Sequence, residues 1–351
     1  MDSSYRGKKI LVTGHTGFKG SWLCEWLLML GAEVHGFALP PPTKPSLFNQ
    51  LRLARRIKSH TIGDIRDLAA MKDIVRRVKP DFVFHLAAQP LVRLSYEKPV
   101  ETFGANVMGT VHLLEACRSL KKPCSVVCIT TDKVYENDDS GKAYCEGDPL
   151  GGSDPYSASK GACEIAIQSY RRSFFSSADS LVRVASARAG NVIGGGDWAK
   201  DRIVPDAMRA FFGNRRLVVR NRNATRPWQH VLEPLSGYLA LGVALSGDCK
   251  FATAFNFGPN PKSVRTVGDL MSNLLPLFPE VEMTDLTDAN APREARRLTL
   301  DSTKARRLLG WQSRWDFERT IWETAEWYKG RYRHDSAASL CREQISSYSN
   351  S

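Results

Sequence analysis

Tyr156 and Lys160 form a Tyr-x-x-x-Lys pair, and a Thr-Thr-Asp-Lys run at 130–133 precedes them. On a helix, a spacing of four residues places the phenol and the ammonium group on one face. A tyrosine is too weakly acidic near neutral pH to act as a base, but a neighbouring ammonium group favours the phenolate. The set predicts an enzyme that oxidises a carbinol and then carries out proton chemistry on the product. An isolated pair is more simply a turn tyrosine and a solvated lysine, so the rest of the chain decides.

A glycine motif near the N-terminus favours the chemical interpretation. Residues 8–13 predict a buried strand, residues 22–30 predict a helix, and Gly14, Gly17 and Gly20 lie between them. Such a turn lets backbone amides approach a pyrophosphate at a helix N-terminus. The spacing is G-x-x-G-x-x-G instead of the standard G-x-G-x-x-G, and a plain turn is the alternative. The other motif residues predicted to bind the cofactor are His15, Thr16, Phe18 and Lys19.

The adenosine end of the cofactor site is less clearly marked. The second predicted strand, 33–39, ends without the usual ribose-binding carboxylate and without an arginine for a 2′-phosphate, so this position does not distinguish NAD from NADP. Asp64 is interpreted either as an acceptor for an adenine amino group or as a helix cap. His85 is interpreted as a packed strand residue, and Asn106 either contacts cofactor or backbone or caps a helix. The remaining predicted cofactor-binding residues are Ile65, Leu86, Ala87, Ala88, Gln89 and Thr130, together with Tyr156 and Lys160.

Composition sets the broad class of the protein. The chain has 351 residues and a net charge of +12, which fits one or two globular domains. It has neither an apolar run of about 18 residues nor an N-terminal signal core, so a cytoplasmic protein with no membrane partner is expected. The 8 cysteines form no C-x-x-C pair, which predicts reduced, mostly buried thiols and no metal site. The positive charge comes without a nucleic-acid module, which favours steering of a phosphate-bearing substrate over nucleic-acid binding.

Strand and helix patterns alternate from Lys8 to about Asn191, which predicts an α/β fold: a Rossmann-type, doubly wound parallel sheet with a smaller mixed α/β C-terminal substrate lobe. The expected divisions are a dinucleotide-binding domain at 1–193, with 234–260 returning to it, and a lobe at 194–233 and 261–333. A loosely ordered tail is expected at 334–351, and closing helices at 298–309 and 316–328. The Thr-Asp-Lys run follows the strand predicted at 124–130, at the edge where such sheets bind ligands.

From Lys8 to about Tyr328 the chain resembles the extended short-chain dehydrogenase/reductase superfamily, within the NAD-dependent epimerase/dehydratase family. The resemblance is strongest to the sugar-nucleotide 4,6-dehydratases, and it rests on segments 13–20, 88–93, 131–133, 190–198 and 226–231. Lys133 stands where the dTDP-sugar enzymes carry glutamate. The resemblance implies tightly held NAD, CDP-glucose as substrate and a role in bacterial surface polysaccharide (lipopolysaccharide) biosynthesis. It also implies a homo-oligomer, dimer or tetramer, built on helices at 107–120 and 157–174.

The resemblance also implies roles for the reactive side chains. Tyr156 would take the proton of the sugar C4 hydroxyl, while Lys160 would lower the pKa of Tyr156 and bind the nicotinamide ribose. Thr131 would hydrogen-bond the C4 oxygen. The C4 ketone makes the C5 proton acidic, so that neutral Lys133 could remove it and protonated Asp132 could release the C6 hydroxyl as water. The identity of the base at C5 stays open, and the product would be CDP-4-keto-6-deoxy-glucose.

The remaining substrate contacts are carried over from the same resemblance, and rival functions stay open. A turn at 151–155 is expected to order over the sugar. The alternatives are a nucleotide-sugar 4-epimerase, a dTDP- or GDP-sugar 4,6-dehydratase, a UDP-sugar decarboxylase and a non-catalytic dinucleotide-sensing regulator. The regulator would need neither Tyr156 nor Lys160. The residues predicted to bind substrate are Arg93, Thr131, Asn191, Arg202, Val204, Arg226 and Arg293.

Overall fold

A parallel seven-stranded sheet forms the centre of the molecule. The computed structural model describes residues 2–177, 180–219, 221–279, 282–285 and 298–351. Its strands are β1 (Lys9–Thr13), β2 (Glu33–Ala38), β3 (Ser59–Ile62), β4 (Phe82–His85), β5 (Cys124–Ile129), β6 (Ala143–Tyr144), β7 (Val182–Ala189), β8 (Val192–Ile193), β9 (Leu217–Val219), β10 (Thr225–Pro227), β11 (Gln229–His230), β12 (Ala254–Phe257), β13 (Val264–Thr266), β14 (Met283–Asp285) and β15 (Thr299–Leu300). The main sheet has the order β12-β7-β5-β4-β1-β2-β3, with every pair parallel. The predicted doubly wound α/β class is confirmed.

Helices cover both faces of this sheet. They are α1 (Asp2–Tyr5), α2 (Phe18–Met29), α3 (Leu47–Gln50), α4 (Leu68–Val78), α5 (Val92–Glu97), α6 (Pro99–Phe103), α7 (Gly109–Cys117), α8 (Pro155–Phe174), α9 (Ile203–Phe212), α10 (Leu232–Gly247), α11 (Val267–Leu274), α12 (Thr303–Leu309), α13 (Phe317–Tyr332) and α14 (Ala337–Asn350). Within the described ranges, no helix has the length and apolar composition that a bilayer crossing requires.

The strands read as continuous apolar runs because both of their faces are buried. In β1, Ile10 and Val12 belong to the apolar cluster on one face, whereas Leu11 belongs to the cluster on the other. This division follows from the two-residue alternation of side chains along a strand. Cys145 and Cys249 are exposed, the other cysteines are buried, and all are free thiols, as predicted.

Four short strand pairs lie outside the main sheet. They are β8 with β11, β9 with β14, β10 with β13, and β6 with β15. Strand β12 returns to the main sheet beside β7. The proposed division of the chain into two lobes stays a prediction.

The expectation of a loosely ordered tail is wrong. Residues Ala337–Asn350 form α14, with Cys341, Ile345 and Tyr348 buried. The serine-rich composition conceals an apolar stripe at helical spacing, which packs on α2. The helix predicted at 298–309 is also partly wrong, because Thr299 and Leu300 pair with β6 and the helix begins at Thr303.

Candidate active site

The candidate site lies at the carboxyl edge of the main sheet. Strand order reverses between β1 and β4, which is where an open α/β sheet leaves a crevice for ligands. The glycine turn follows β1, and the run at 130–133 follows β5, two strands away. Helix α8 packs beside both β7 and the turn after β5. The sequence-predicted cofactor and catalytic segments therefore converge at one edge.

The glycine turn fits a pyrophosphate group. Gly14 has a φ of +77°, and a Cβ there would lie 2.7 Å from the Ala87 nitrogen. A Cβ on Gly20 would lie 2.1 Å from the Gly14 oxygen, so both positions require glycine. Helix α2 follows Gly17 without a side-chain cap. Its first amides and its dipole can therefore receive an anion.

The adenosine end of the site is arranged differently from the prediction. The His15 ring is directed into the protein, where it shares a 2.7 Å hydrogen bond with His60, and burial lowers the pKa of His15 to about 3. The Thr16 hydroxyl donates to the Leu39 carbonyl (2.9 Å) and ties the turn to the end of β2. Asp64 accepts from the Arg66 side chain (2.6 Å), which lowers the pKa of Asp64. Asp67, and not Asp64, caps α4.

The segment after β4 is braced by buried polar groups. Asn106 lies in a π-helical turn, Gly104–Met108, where its amide oxygen accepts from the Gln89 N–H (2.8 Å) and its NH₂ donates to Ser159 (2.8 Å). Asn106 therefore contacts backbone, as one alternative stated, and is not an N-cap. His85 is buried between the hydroxyls of Thr13 (2.7 Å) and Thr110 (3.2 Å), which confirms it as a packed strand residue.

Two other predicted cofactor residues, Ile65 and Thr130, and the segment 86–89 after β4 surround these buried polar groups. The Ile65 side chain is buried against Gly109, where a Cβ would lie 2.4 Å from the Ile65 Cδ1 atom. The Thr130 hydroxyl donates to Glu164 (2.5 Å), so the Thr130 side chain is turned away from the crevice. The half-buried residues that line the exit of β4 are Leu86, Ala87, Ala88 and Gln89.

Asp132 is a buried carboxyl group beside the crevice. The Thr131 hydroxyl donates to Asp132 Oδ1 (2.9 Å), and a Cβ on Gly190 would lie 2.8 Å from Asp132 Oδ2. Burial raises the pKa of Asp132, and the charges of Lys133 and Arg226 oppose that rise. Asp132 therefore has the environment of a carboxyl that keeps its proton at higher pH than usual.

Tyr156 and Lys160 lie one turn apart on α8, which begins after the N-cap Asp154, and both are buried. Burial raises the pKa of Tyr156 to about 12, and the Thr131 hydroxyl and the Arg202 charge counteract it. Burial lowers the pKa of Lys160, whose ammonium donates to the Ile129 carbonyl (3.3 Å). The expected low pKa of Tyr156 is therefore not found in this structure, because enclosure of the phenol outweighs the positive charges.

Cationic side chains flank the reactive groups. Arg202 pairs with Asp197 (2.9 Å). The pKa of Lys19 is lowered to about 8, chiefly by burial; the charge of Arg202 also lowers it, and the charge of Asp132 opposes this. Arg226 lies on β10, close enough to Asp132 to lower its pKa. These residues give the crevice a positive wall.

The other predicted substrate residues fall into different places. Arg93 is partly exposed and lies 3.7 Å from Asp201. Asn191 follows β7 and is half-buried. The Val204 side chain is buried in the core, so its predicted substrate contact is wrong for the side chain, because α9 turns this residue inwards. Arg293 lies outside the described residues.

Two residues at the site were missed by sequence reasoning. Gly190 allows Asp132 to pack closely, and although it begins the segment 190–198 that carries the resemblance, no role was predicted for it. Glu164 lies on α8 four residues after Lys160 and is fully buried. The spacing places it on the same helix face as Tyr156 and Lys160, which is a signal that could have identified it.

Known proteins resemble this chain over most of its length. The sequence model described as GDP-mannose 4,6 dehydratase matches residues 11–253. A CDP-glucose 4,6-dehydratase from Salmonella typhimurium is 47% identical over 98% of this chain and 97% of that protein. A UDP-glucuronic acid 4-epimerase from Bacillus cereus, solved with UDP-glucuronic acid and NAD, has a TM-score of 0.76 at 24% identity, covering 92% of this chain and 99% of that one. A dTDP-glucose 4,6-dehydratase from Bacillus anthracis, solved with NAD, has a TM-score of 0.75 at 21% identity, covering 94% and 99%. The two structures show a shared fold.

Proposed function

This chain belongs to the GDP-mannose 4,6-dehydratase family, and we propose that it is a hydro-lyase that converts CDP-glucose to CDP-4-keto-6-deoxy-glucose with bound NAD. The cytidine base rests on the Salmonella typhimurium relative and on Lys133. The observation that most supports the reaction is the buried Asp132 carboxyl. The Thr131 hydroxyl donates to this carboxyl and also hydrogen-bonds with Tyr156. Elimination of water needs such an acid, whereas inversion at C4 does not.

The residues of the glycine turn and of α8 fit an NAD molecule. Gly14, Gly17 and the amides at the start of α2 would hold its pyrophosphate, and Lys160 would hold the nicotinamide ribose. Bound NAD supplies the hydride acceptor for oxidation at C4 and the hydride donor for reduction at C6. Tyr156 is the group on α8 that takes the C4 hydroxyl proton, and the Thr131 hydroxyl and Arg202 favour its phenolate.

The elimination uses the turn after β5. A C4 ketone stabilises the carbanion formed at C5, so Lys133 can remove the C5 proton as a base. Asp132 donates its proton to the C6 hydroxyl, and the C–O bond breaks to release water. The ammonium group of Lys133 then returns a proton to C5. Arg202 and Arg226 would neutralise the diphosphate, with Arg93, Asn191 and Arg293 as further contacts.

We also propose a homo-oligomer formed through the outer surface of α6–α8. Val100, Met108, Ile165 and Phe174 are large apolar side chains exposed on this surface. Ile167, on the same helix, is buried in the core. The free thiols fit the reducing cytoplasm, where we place the protein.

The reaction is tested with Asp132→Asn. We expect this variant to oxidise C4, seen as bound NADH absorbance, and to form 4-keto-6-deoxy product about 10²–10⁴ times more slowly, because the acid is missing. Ultraviolet absorbance of base-treated mixtures measures the product. Asp73→Asn, a change of the same kind on the exposed side of α4, should match the wild type.

CDP-, dTDP-, GDP- and UDP-glucose are run side by side in the same assay. CDP-glucose should be turned over fastest. Wild-type turnover by Asp132→Asn would overturn the role of Asp132. Inversion at C4 without water loss would establish the 4-epimerase alternative, and preference for another base would overturn the cytidine assignment.

A further inference from the structure

Glu164 is the centre of a buried polar network directly beneath the catalytic helix face. Its side chain is 3% exposed. One carboxylate oxygen accepts from the Thr130 hydroxyl at 2.5 Å, and the other accepts from the Ser186 hydroxyl and from Arg188 Nη2, each at 2.8 Å. The carboxylate therefore joins α8 to β5 and to β7.

Arg188 extends this network to the loop that follows the catalytic turn. Its Nη1 donates to the Tyr135 hydroxyl (2.8 Å) and to the Glu146 carbonyl (3.3 Å). The Tyr135 hydroxyl in turn donates to Asn256 on β12 (2.7 Å). Tyr135 follows the turn Asp132–Val134. The segment that carries Asp132 and Lys133 is thus anchored at both ends through groups that lead to Glu164.

The exit of β5 is aligned with α8 residue by residue. Ile129 accepts from Lys160 through its carbonyl, and the next residue, Thr130, donates to Glu164. Thr131, the residue after that, acts on Tyr156. Of these contacts, the bond from Thr130 to Glu164 is the shortest and ends on a buried charge, so it is the strongest of the set.

Glu164 also has an electrostatic effect on Lys160. Burial lowers the pKa of Lys160, whereas the negative charge of Glu164 raises it, together with the thiols of Cys163 and Cys128. Among the described residues, Glu164 is the carboxylate that acts on Lys160 in this way. The other titratable or charged groups around the pair are Tyr156 and Arg171 on α8, His85 on β4, Arg188 on β7 and Lys19 on α2.

We infer that Glu164 is a positioning residue of the proposed reaction, which holds Tyr156 and Lys160 in register with Thr131 and Asp132 and keeps the Lys160 ammonium charged in a buried site. The inference rests on the proposed function. Glu164 itself does not contact substrate. A structural ion pair elsewhere would affect stability alone, whereas this one also sets the pH up to which Lys160 keeps its proton.

The test is the pH profile of turnover with CDP-glucose for Glu164→Gln. Without the negative charge, Lys160 loses its proton at lower pH, and above that pH it no longer favours the phenolate. We expect the alkaline limb of the kcat profile, where Lys160 loses its proton, to move to lower pH by about 0.5–1 unit. At pH 7, kcat should fall about tenfold, with KM changed less than about twofold, because the carboxylate does not contact substrate.

Matched variants separate charge from structure. Ser186→Ala removes one hydrogen bond from the same carboxylate and keeps both charges, so its alkaline limb should coincide with that of the wild type. Glu164→Asp keeps the charge and should restore most of the alkaline limb. The double variant Glu164→Gln with Arg188→Met removes both buried charges, so it should fold even if Glu164→Gln alone does not. Its kcat profile should show the same shifted alkaline limb as that of Glu164→Gln.

The two proposals fail in different ways. An alkaline limb that does not move in Glu164→Gln or in the double variant would overturn the positioning role, even if wild-type enzyme makes the expected product. A wild type that only inverts C4 would overturn the proposed function. Because inversion also begins with Tyr156 and Lys160, the shift of the alkaline limb could still be measured with that product.

Discussion

Two buried glutamates in this molecule have opposite protonation behaviour. Glu164, beneath the active site, binds Arg188 and two hydroxyls, and although burial opposes them, these partners lower its pKa. Among the residues that the structure describes, the donors to Glu233 on α10 are the N–H groups of Arg314 (3.0 Å) and Trp315 (2.7 Å) and the Tyr348 hydroxyl (2.7 Å). Burial raises the pKa of Glu233 to about 7.

The difference shows that a buried carboxylate stays charged when a full positive charge contacts it, and that neutral donors do not suffice. The charged carboxylate lies next to the proposed catalytic lysine. Glu233, the carboxylate that can hold a proton, accepts a hydrogen bond from Tyr348 of α14, where this helix packs against the rest of the protein. Glu164 therefore acts through its charge beside Lys160, whereas Glu233 acts through its contacts with α14.

The largest effect is expected when the charged pair is broken. Arg188→Met should lower the free energy of unfolding by about 3–5 kcal/mol at pH 7, because it leaves Glu164 buried without its counter-charge. Urea unfolding measures this. Arg183→Met, on the same strand, removes a guanidinium that donates to the Leu245 and Ser246 carbonyls, and it should cost about 1 kcal/mol. Equal losses in the two variants would mean that the Glu164 pair does not differ from a surface contact.

A second prediction concerns pH. The pKa of Glu233 is about 7 in the folded protein against 4.5 ordinarily, so its stabilising effect is complete below about pH 4.5 and is lost as pH rises to about 7. The loss is at most about 3 kcal/mol. Glu164 has the opposite sign, since its lowered pKa stabilises the fold above its ordinary pKa and the effect is lost in acid.

The measurement is the free energy of unfolding of Glu233→Gln and wild type at pH 5 and pH 8. The wild type should lose more stability than the variant between these values, since the variant has no proton to release. Parallel curves would show that Glu233 is ionised throughout, and the contrast between the two carboxylates would then disappear.

A smaller effect than that of Arg188→Met is expected from Ser186→Ala. This change removes one of several donors to Glu164, so the free energy of unfolding should fall by about 1–2 kcal/mol at pH 7 and at pH 8 alike. A loss as large as that of Arg188→Met would indicate that hydroxyl donors, and not the guanidinium charge, keep Glu164 ionised.

The sequence predicted what depends on local pattern. The apolar runs of β1 and β5 and the glycine turn between β1 and α2 predicted the sheet and the crevice at its edge, and the structure places Asp132, Tyr156 and Lys160 there together. The roles of these residues stay predictions.

What the sequence did not reveal depends on contacts between distant segments. Glu164 shares a helix face with Lys160, but its partners Ser186 and Arg188 come from another strand, and no local periodicity identifies them. Val204 was predicted to bind substrate, yet packing of α9 places its side chain in the core. Serine content concealed α14 because composition does not report spacing.

Helix α14 has a consequence for how the chain is made. Arg342 binds Glu25 of the dinucleotide-site helix across 317 positions of sequence, and Tyr348 stacks edge-on against Trp26 at 5.8 Å. While the ribosome is still translating the second half of the message, that surface of α2 has no cover. The hydrophobic surface of α2 therefore stays exposed on the nascent chain until translation nears completion. A premature stop codon after Arg333 would leave this surface permanently exposed and prone to aggregation.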